Sequence, residues 1–205
     1  MDCLKTEITD QHCQCLADKL HYYLDVKYKD ELGDIPDHVK HTLCQNYVLQ
    51  LKNNTLDFSD LFDVLFKESI KAYKLGEIPV AALLYDPKKK IVISKAYNSN
   101  RTNFDPRAHA EILTIQKACK KLKISRLDGY DLFTTLEPCL MCSSTILQSK
   151  IRRVYFSCED KKTGALVNNH KLAFDVKNQK KINVYYGFYE ERFSKLLKSF
   201  FKKKR

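Results

Sequence analysis

Two short runs constrain this chain more than anything else in it: His109-Ala110-Glu111 and, 28 residues further on, Pro138-Cys139-Leu140-Met141-Cys142. They supply one imidazole, two thiols and a carboxylate that need not bind metal. Three N/S ligands leave a tetrahedral zinc ion one open position, the mark of a catalytic rather than a closed structural site. Two thiolates and a neutral imidazole give a formally neutral centre, and zinc lowers the pKa of a bound water to roughly 7. Glu111, two residues from His109, is the natural proton carrier, and such general acid–base help is worth about 10²–10⁴ in rate. Each half alone has an ordinary reading. Cys-x-x-Cys also builds structural zinc knuckles and redox pairs, and His-Ala-Glu is a common helix segment. The combination, with a proline ahead of the first cysteine, carries the catalytic reading.

The local sequence says how the ligands are presented. Asp105-Pro106 precedes His109, and Ile112, Ile115, Ala118, Cys119 and Leu122 follow at helical spacing. A helix is therefore expected to open near Pro106 or Arg107, with His109 and Glu111 in its first turns. Pro138 suits the start of a second helix reaching about Ser149, on which Cys139 and Cys142 share one face. Both helix N-termini then point at the metal, and their partial positive charge favours thiolate over thiol.

Five strands are expected, near 78–85, 91–97, 131–136, 154–158 and 182–188. A helix over Leu61, Phe62, Leu65, Phe66, Ser69, Ile70 and Tyr73 precedes them, capped by Asp57 or Ser59 and ended by Gly76. A last helix starts near Tyr189. Strands interleaved with helices point to an α/β/α sandwich with the ligands on helices beneath the sheet. Residues 1–57 form a separate, acidic segment. Leu16, Leu20, Tyr23, Leu24 and Tyr28, then Val39, Leu43, Val48 and Leu51, fit two amphipathic helices. The expected organisation is an N-terminal helical extension over 1–57, packing on the rest or recruiting a partner, and a catalytic domain over 58–205.

Charge is placed unevenly. Residues 1–57 hold six lysines against ten acidic residues, a net of −4, whereas the remainder nets +15. A small-molecule enzyme has no use for such a field, while a protein gripping a phosphate backbone does. Lysine enrichment from an AT-rich genome is the plainer alternative. The eight cysteines show no framework spacing, and no secretory signal precedes them, which fits a reducing cytoplasm. No uncharged apolar run approaches the ~20 residues of a membrane span, so no membrane association is expected.

His-x-Glu followed by Pro-Cys-x-x-Cys is the signature of zinc nucleobase deaminases. The match extends to Gly76-Glu77-Ile78-Pro79-Val80, Asn98, Asp105-Pro106-Arg107-Ala108-His109-Ala110-Glu111-Ile112, Thr135-Leu136-Glu137-Pro138-Cys139-Leu140-Met141-Cys142, Ile151-Arg152-Arg153-Val154-Tyr155-Phe156 and Asp160-Lys161-Lys162-Thr163-Gly164-Ala165. With these runs the chain resembles bacterial-type tRNA-specific adenosine deaminases, the TadA family, over about 58–205. The resemblance implies a three-layer cytidine-deaminase-like sandwich with a central five-stranded mixed sheet. It implies hydrolytic deamination of the wobble adenosine of a tRNA anticodon to inosine, with one Zn²⁺ per subunit on His109, Cys139 and Cys142 and Glu111 as the catalytic residue. It also implies that Asn98 hydrogen-bonds the flipped adenine, that Val80 and His109 sandwich its ring, and that Asp160 lies against the RNA backbone. The basic C-terminal helix with Lys202 and Lys203 would help hold the anticodon stem-loop, and the enzyme would be a homodimer in the cytoplasm.

The chain departs from the family at Ala81, where a glycine is usual, and in Leu166-Val167-Asn168-Asn169 and Asn178-Gln179-Lys180-Lys181. These bear on the choice of tRNA rather than on the chemistry. Two other classes stay open: a deaminase of a free nucleobase or nucleoside of the guanine or cytosine type, which needs no basic field, and a non-catalytic RNA-binding deaminase-like subunit, against which the presence of Glu111 counts.

Overall fold

The computed structural model describes residues 58–173 and 182–203. The helical extension expected over 1–57, the altered run 178–181 and the last two residues of the basic tail lie outside the described residues.

Helix α1 (Phe58–Lys74) forms where Leu61, Phe62, Leu65, Ser69 and Ala72 place a buried stripe along one face. It stops at Gly76, whose positive φ of 75° allows the amides of Gly76 and Glu77 to turn back onto the Tyr73 and Ala72 carbonyls. Strands β1 (Ala81–Asp86) and β2 (Ile91–Tyr97) follow, then α2 (Ala110–Leu122), β3 (Asp131–Leu136), α3 (Leu140–Gln148), β4 (Arg153–Cys158), β5 (Asn183–Tyr186) and α4 (Glu190–Lys203). β1 starts later than 78 because Val80 N–H donates to the Ile78 carbonyl at 2.7 Å around Pro79, a tight turn that no ladder accommodates. β5 ends before 188 because Gly187 and Tyr189 both take positive φ.

The five strands form one mixed sheet in the order β2-β1-β3-β4-β5. β1 pairs antiparallel with β2 and β3, whereas β3–β4 and β4–β5 are parallel. Alternation splits the side chains between two faces. Ala82, Leu84, Leu132, Val154 and Phe156 pack with Ala110, Ile115, Ala118 and Ile146 of α2 and α3. On the other face Phe133 stacks on Tyr155 with centroids 4.5 Å apart, and Phe62 of α1 meets both Phe133 and Phe193 of α4 edge-on. This is the expected three-layer α/β/α sandwich. β1, β3 and β4 are buried on both faces, while β2 at the edge buries Ile93 and Ala96.

The pairing register brings the functional segments to one end of the sheet. Ala81 pairs with Tyr97 and Leu136 with Cys158, so the residues just beyond, Val80, Asn98, Glu137 and Glu159, lie at the same end. That end is the carboxyl end of parallel β3 and β4, where α/β sheets bind ligands.

Phe133 is fully buried at the centre of the aromatic layer. Phe133→Ala is expected to lower the unfolding free energy by about 3–5 kcal/mol in urea denaturation. A loss below about 1 kcal/mol would mean that this layer does not hold α1 to the sheet.

Candidate metal centre and active site

His109 and Cys139 are the N-cap residues of α2 and α3, each with extended backbone and neither using its side chain as a cap. The helix expected to open at Pro106 thus begins later, at Ala110. Asp105 takes the proline segment into a turn instead: its Oδ1 accepts from Arg107 N–H at 2.8 Å and its carbonyl from Ala108 N–H at 3.0 Å. The consequence suits a ligand. An N-cap imidazole and an N-cap thiol stand off the helix ends where partial positive charge gathers, with Cys142 in the first turn of α3.

His109 Nδ1 lies 3.7 Å from Cys139 Sγ and 3.4 Å from Cys142 Sγ. All three candidate ligand atoms fall within 4.8 Å of one another. Zinc–sulfur and zinc–nitrogen bonds of ordinary length at a tetrahedral angle put S and N about 3.6 Å apart, so the donor set fits zinc. Its protonation fits too. A hydrogen bond from Cys142, together with the imidazole, holds the Cys139 thiol down to about 4. The thiolate beside it, followed by burial and the Glu111 charge, pushes Cys142 far up. Two adjacent thiols that cannot both ionise unaided are what a divalent cation resolves.

Glu111, in the first turn of α2, is 4 % exposed. Burial pushes its carboxyl up to about 7, against hydrogen bonds from its own backbone amide and Cys142 and the pull of His109. It reaches the ligand cluster from the α2 side, through Cys142.

Asn98 is buried, and its Oδ1 accepts from Ala110 N–H at 2.8 Å. It supplies the cap that His109 does not. The carbonyl half of its carboxamide is thereby committed. Asn98 N–H donates to the Val80 carbonyl at 3.0 Å. The structure therefore brings Val80, Asn98, His109, Glu111, Cys139 and Cys142 together.

Asp160 lies in the turn after β4. Its carboxylate accepts from Lys162 N–H at 2.9 Å, Thr163 N–H at 3.0 Å and the Thr163 hydroxyl. The turn is stitched to the cysteine segment by the Cys139–Gly164 bridge and by Ala165 N–H donating to the Pro138 carbonyl at 3.0 Å. Lys202 and Lys203 are placed otherwise. They are exposed on the last turn of α4, whose Phe193 and Phe200 pack on α1, and no contact among the described residues joins them to the ligands.

The roles of two buried carboxylates escaped the sequence reading. Glu137 accepts from the amides of Asp160 (3.1 Å), Val167 (2.9 Å) and Asn168 (3.0 Å) and from Asn168 Nδ2. It ties the Cys-x-x-Cys segment to the Asp160 turn, and a Cβ on Gly164 would run into this carboxylate. Asn168, one of the departures from the family pattern, is thus a structural partner of Glu137. Glu77 accepts from the amide and hydroxyl of Thr102 at 2.7 and 2.9 Å, holding the loop before His109. The available signal was an acid placed where an apolar segment ends, at Leu136-Glu137-Pro138 and at Gly76-Glu77-Ile78.

A sequence model of the MafB19-like deaminase family matches residues 56–205. The tRNA-specific adenosine deaminase of Aquifex aeolicus is 41% identical over 145 residues, 69% of this chain and 92% of that protein. The enzyme of the same name from Haemophilus influenzae is 40% identical, over 66% of this chain and 78% of its own. A solved structure from a study of A-to-I editing by tRNA:A34 deaminases at the wobble position of transfer RNA is 34% identical. It superposes with a TM-score of 0.64 over 68% of this chain and 99% of its own. A guanine deaminase from Nitrosomonas europaea, 20% identical with a TM-score of 0.60, shares the fold. The chain belongs to the MafB19-like deaminase family and, within that fold, to the tRNA-specific adenosine deaminases.

Proposed function

We propose that this chain is a zinc-dependent tRNA adenosine deaminase that hydrolyses the wobble adenosine of an anticodon to inosine. The observation that carries the proposal is the His109, Cys139 and Cys142 cluster with a fourth group, the buried Glu111 carboxylate, beside it and free of ligand duty. Bound there, zinc supplies the Lewis acidity that makes water a nucleophile near neutral pH.

The chain's own residues do the rest. His109 would hold the ion through Nδ1, which would leave its ring and the Val80 side chain to flank the purine. Asn98, fixed by its carbonyl on Ala110, presents its NH₂ to an acceptor on the base edge. The Glu111 carboxylate would take one proton from the attacking water and pass it to the ring nitrogen next to the reacting carbon. It would then take the second proton from the hydroxyl now on that carbon and pass it to the amine, which leaves as ammonia as the carbonyl forms. Burial keeps bulk water from competing for that proton. The target base is extruded from a loop, where unstacking costs little.

Asp160 acts through its turn: its charge is spread over three donors, and Lys161 and Lys162, both exposed, are the groups that face phosphate. Lys202 and Lys203 extend the same field at the end of α4. The active unit is a homodimer working in the cytoplasm. Cys119 and Cys158, the described cysteines outside the ligand cluster, form no disulfide, which suits that reducing compartment. No helix among the described residues is long and apolar enough to cross a membrane. The acidic residues 1–57 are an extension of the 58–205 deaminase domain that either packs on that domain or recruits a partner.

The direct test is inosine formation in an anticodon stem-loop with adenosine at the wobble position. Zinc-loaded protein is expected to convert that base alone. Glu111→Ala is expected to keep zinc and RNA binding while turnover falls by at least about 10²–10⁴. Loss of the metal in that variant would make Glu111 a ligand and overturn its role, and inosine from the free nucleoside at the same efficiency would overturn the RNA substrate. A separate expectation concerns charge. Reversing Lys202 and Lys203 to Glu should weaken stem-loop binding and reduce the slope of log K against log salt by about 0.7–0.9 for each phosphate no longer neutralised. An unchanged slope would show that the tail does not touch phosphate.

A further inference from the structure

The loop between Asn98 and His109 joins two residues of the site and carries a feature that the catalytic chemistry does not use. At its tip Phe104 is 95% exposed and has a positive φ of 51°. A bulky residue in that backbone region is uncommon, and a phenyl ring held in water gains nothing from burial. The surrounding loop fixes both conditions. Ser99 N–H donates to the Ala108 carbonyl at 3.0 Å and closes the base of the loop, and Asp105 N–H donates to the Asn100 carbonyl at 3.0 Å. Phe104 N–H turns back to the Arg101 carbonyl at 3.3 Å. From below, the buried Glu77 carboxylate grips Thr102 through both its amide and its hydroxyl. The ring is thus presented by a braced scaffold, five residues from the imidazole that would hold zinc.

We infer that Phe104 is a stacking platform for an unpaired base of the anticodon loop next to the target adenosine, and so a substrate-binding residue of this enzyme. The inference rests on the function proposed above. The chemistry of the loop selects the occupant. An aromatic face recognises any unstacked base, and single-stranded loops are where RNA offers one. Arg101 and Arg107, both exposed on the same loop, supply positive charge for the flanking phosphates, although Arg107 shares its guanidinium with Asp105 at 3.0 Å. An apolar protein partner would not call for cations on either side of the ring. Bracing the backbone that carries the ring also removes the cost of ordering the loop on binding.

The chain contains no tryptophan, so Phe104→Trp installs a single reporter at this position. Adding a stem-loop RNA to that variant is expected to quench its emission, saturating with the binding curve. Phe104→Ala should weaken stem-loop binding and raise KM by roughly fivefold to about 150-fold, the range for losing one base–aromatic stack. The loss should fall on KM more than on kcat, and Phe104→Tyr should restore binding where Phe104→Leu does not. Wild-type affinity and KM in Phe104→Ala, alongside normal inosine formation, would overturn the platform and leave the proposed function standing. Emission from the Phe104→Trp variant that changes with protein concentration in the absence of RNA, together with a shift in oligomeric state in Phe104→Ala, would assign the ring to contact between two copies and overturn the platform as well. Quenching by RNA with no inosine from wild-type protein would uphold the platform and overturn the deaminase reading, so the two failures are distinguishable.

Discussion

Everything in the site depends on the convergence of two helix N-termini at one point. α2 and α3 start from different places in the chain, yet their first residues put an imidazole and two sulfurs within 4.8 Å. The sheet makes this possible. β3 feeds directly into the cysteine segment, and the antiparallel pairing of β1 with both β2 and β3 carries Val80 and Asn98 to the same end. The helix ends then supply positive partial charge where thiolates must form. The buried core beneath, from Leu132 and Val154 to Ile115 and Ile146, keeps the two helices from drifting apart.

Three buried carboxylates surround this point, and their partners divide the labour. Glu137 accepts backbone and side-chain donors on both of its oxygens, and Glu77 accepts the amide and hydroxyl of Thr102 on Oε1, so each is a clamp. Glu77 fixes the loop that leads to His109. Glu137 fixes the turn that carries Asp160. Glu111 instead has the ligands themselves as neighbours. A carboxylate in that position could exchange a proton with a water held by a metal on those ligands, and one committed to amide donors could not. The same residue type therefore serves rigidity twice and chemistry once, decided by local hydrogen bonding.

Much of this was legible in the sequence, because the ligand spacing and the apolar periodicities are local. His109, Cys139 and Cys142 do meet, and β2 and β3 span 91–97 and 131–136 as expected. The helix does not start at Pro106 because proline favours a turn and a first helical position alike, and the Asp105 side chain selects the turn. Asn98 as a helix cap, Glu137 as a clamp and Phe104 as an exposed tip were not legible. Each depends on a partner or an exposure fixed by tertiary structure: Ala110 for Asn98, the 160s turn for Glu137 and the whole braced loop for Phe104. The kinship shown by the Aquifex aeolicus and Haemophilus influenzae enzymes reaches the fold and the family, and it leaves those local roles to be read from the geometry.

Three protein ligands that hold a zinc ion and leave one position open are the requirement on which the chemistry turns. Zinc K-edge X-ray absorption on the purified protein addresses it directly. One zinc per chain is expected, with two sulfurs at about 2.3 Å and two lighter atoms at about 2.0–2.1 Å, one from His109 and one from solvent. A shell of four protein ligands, or a folded protein that binds no zinc, would contradict it.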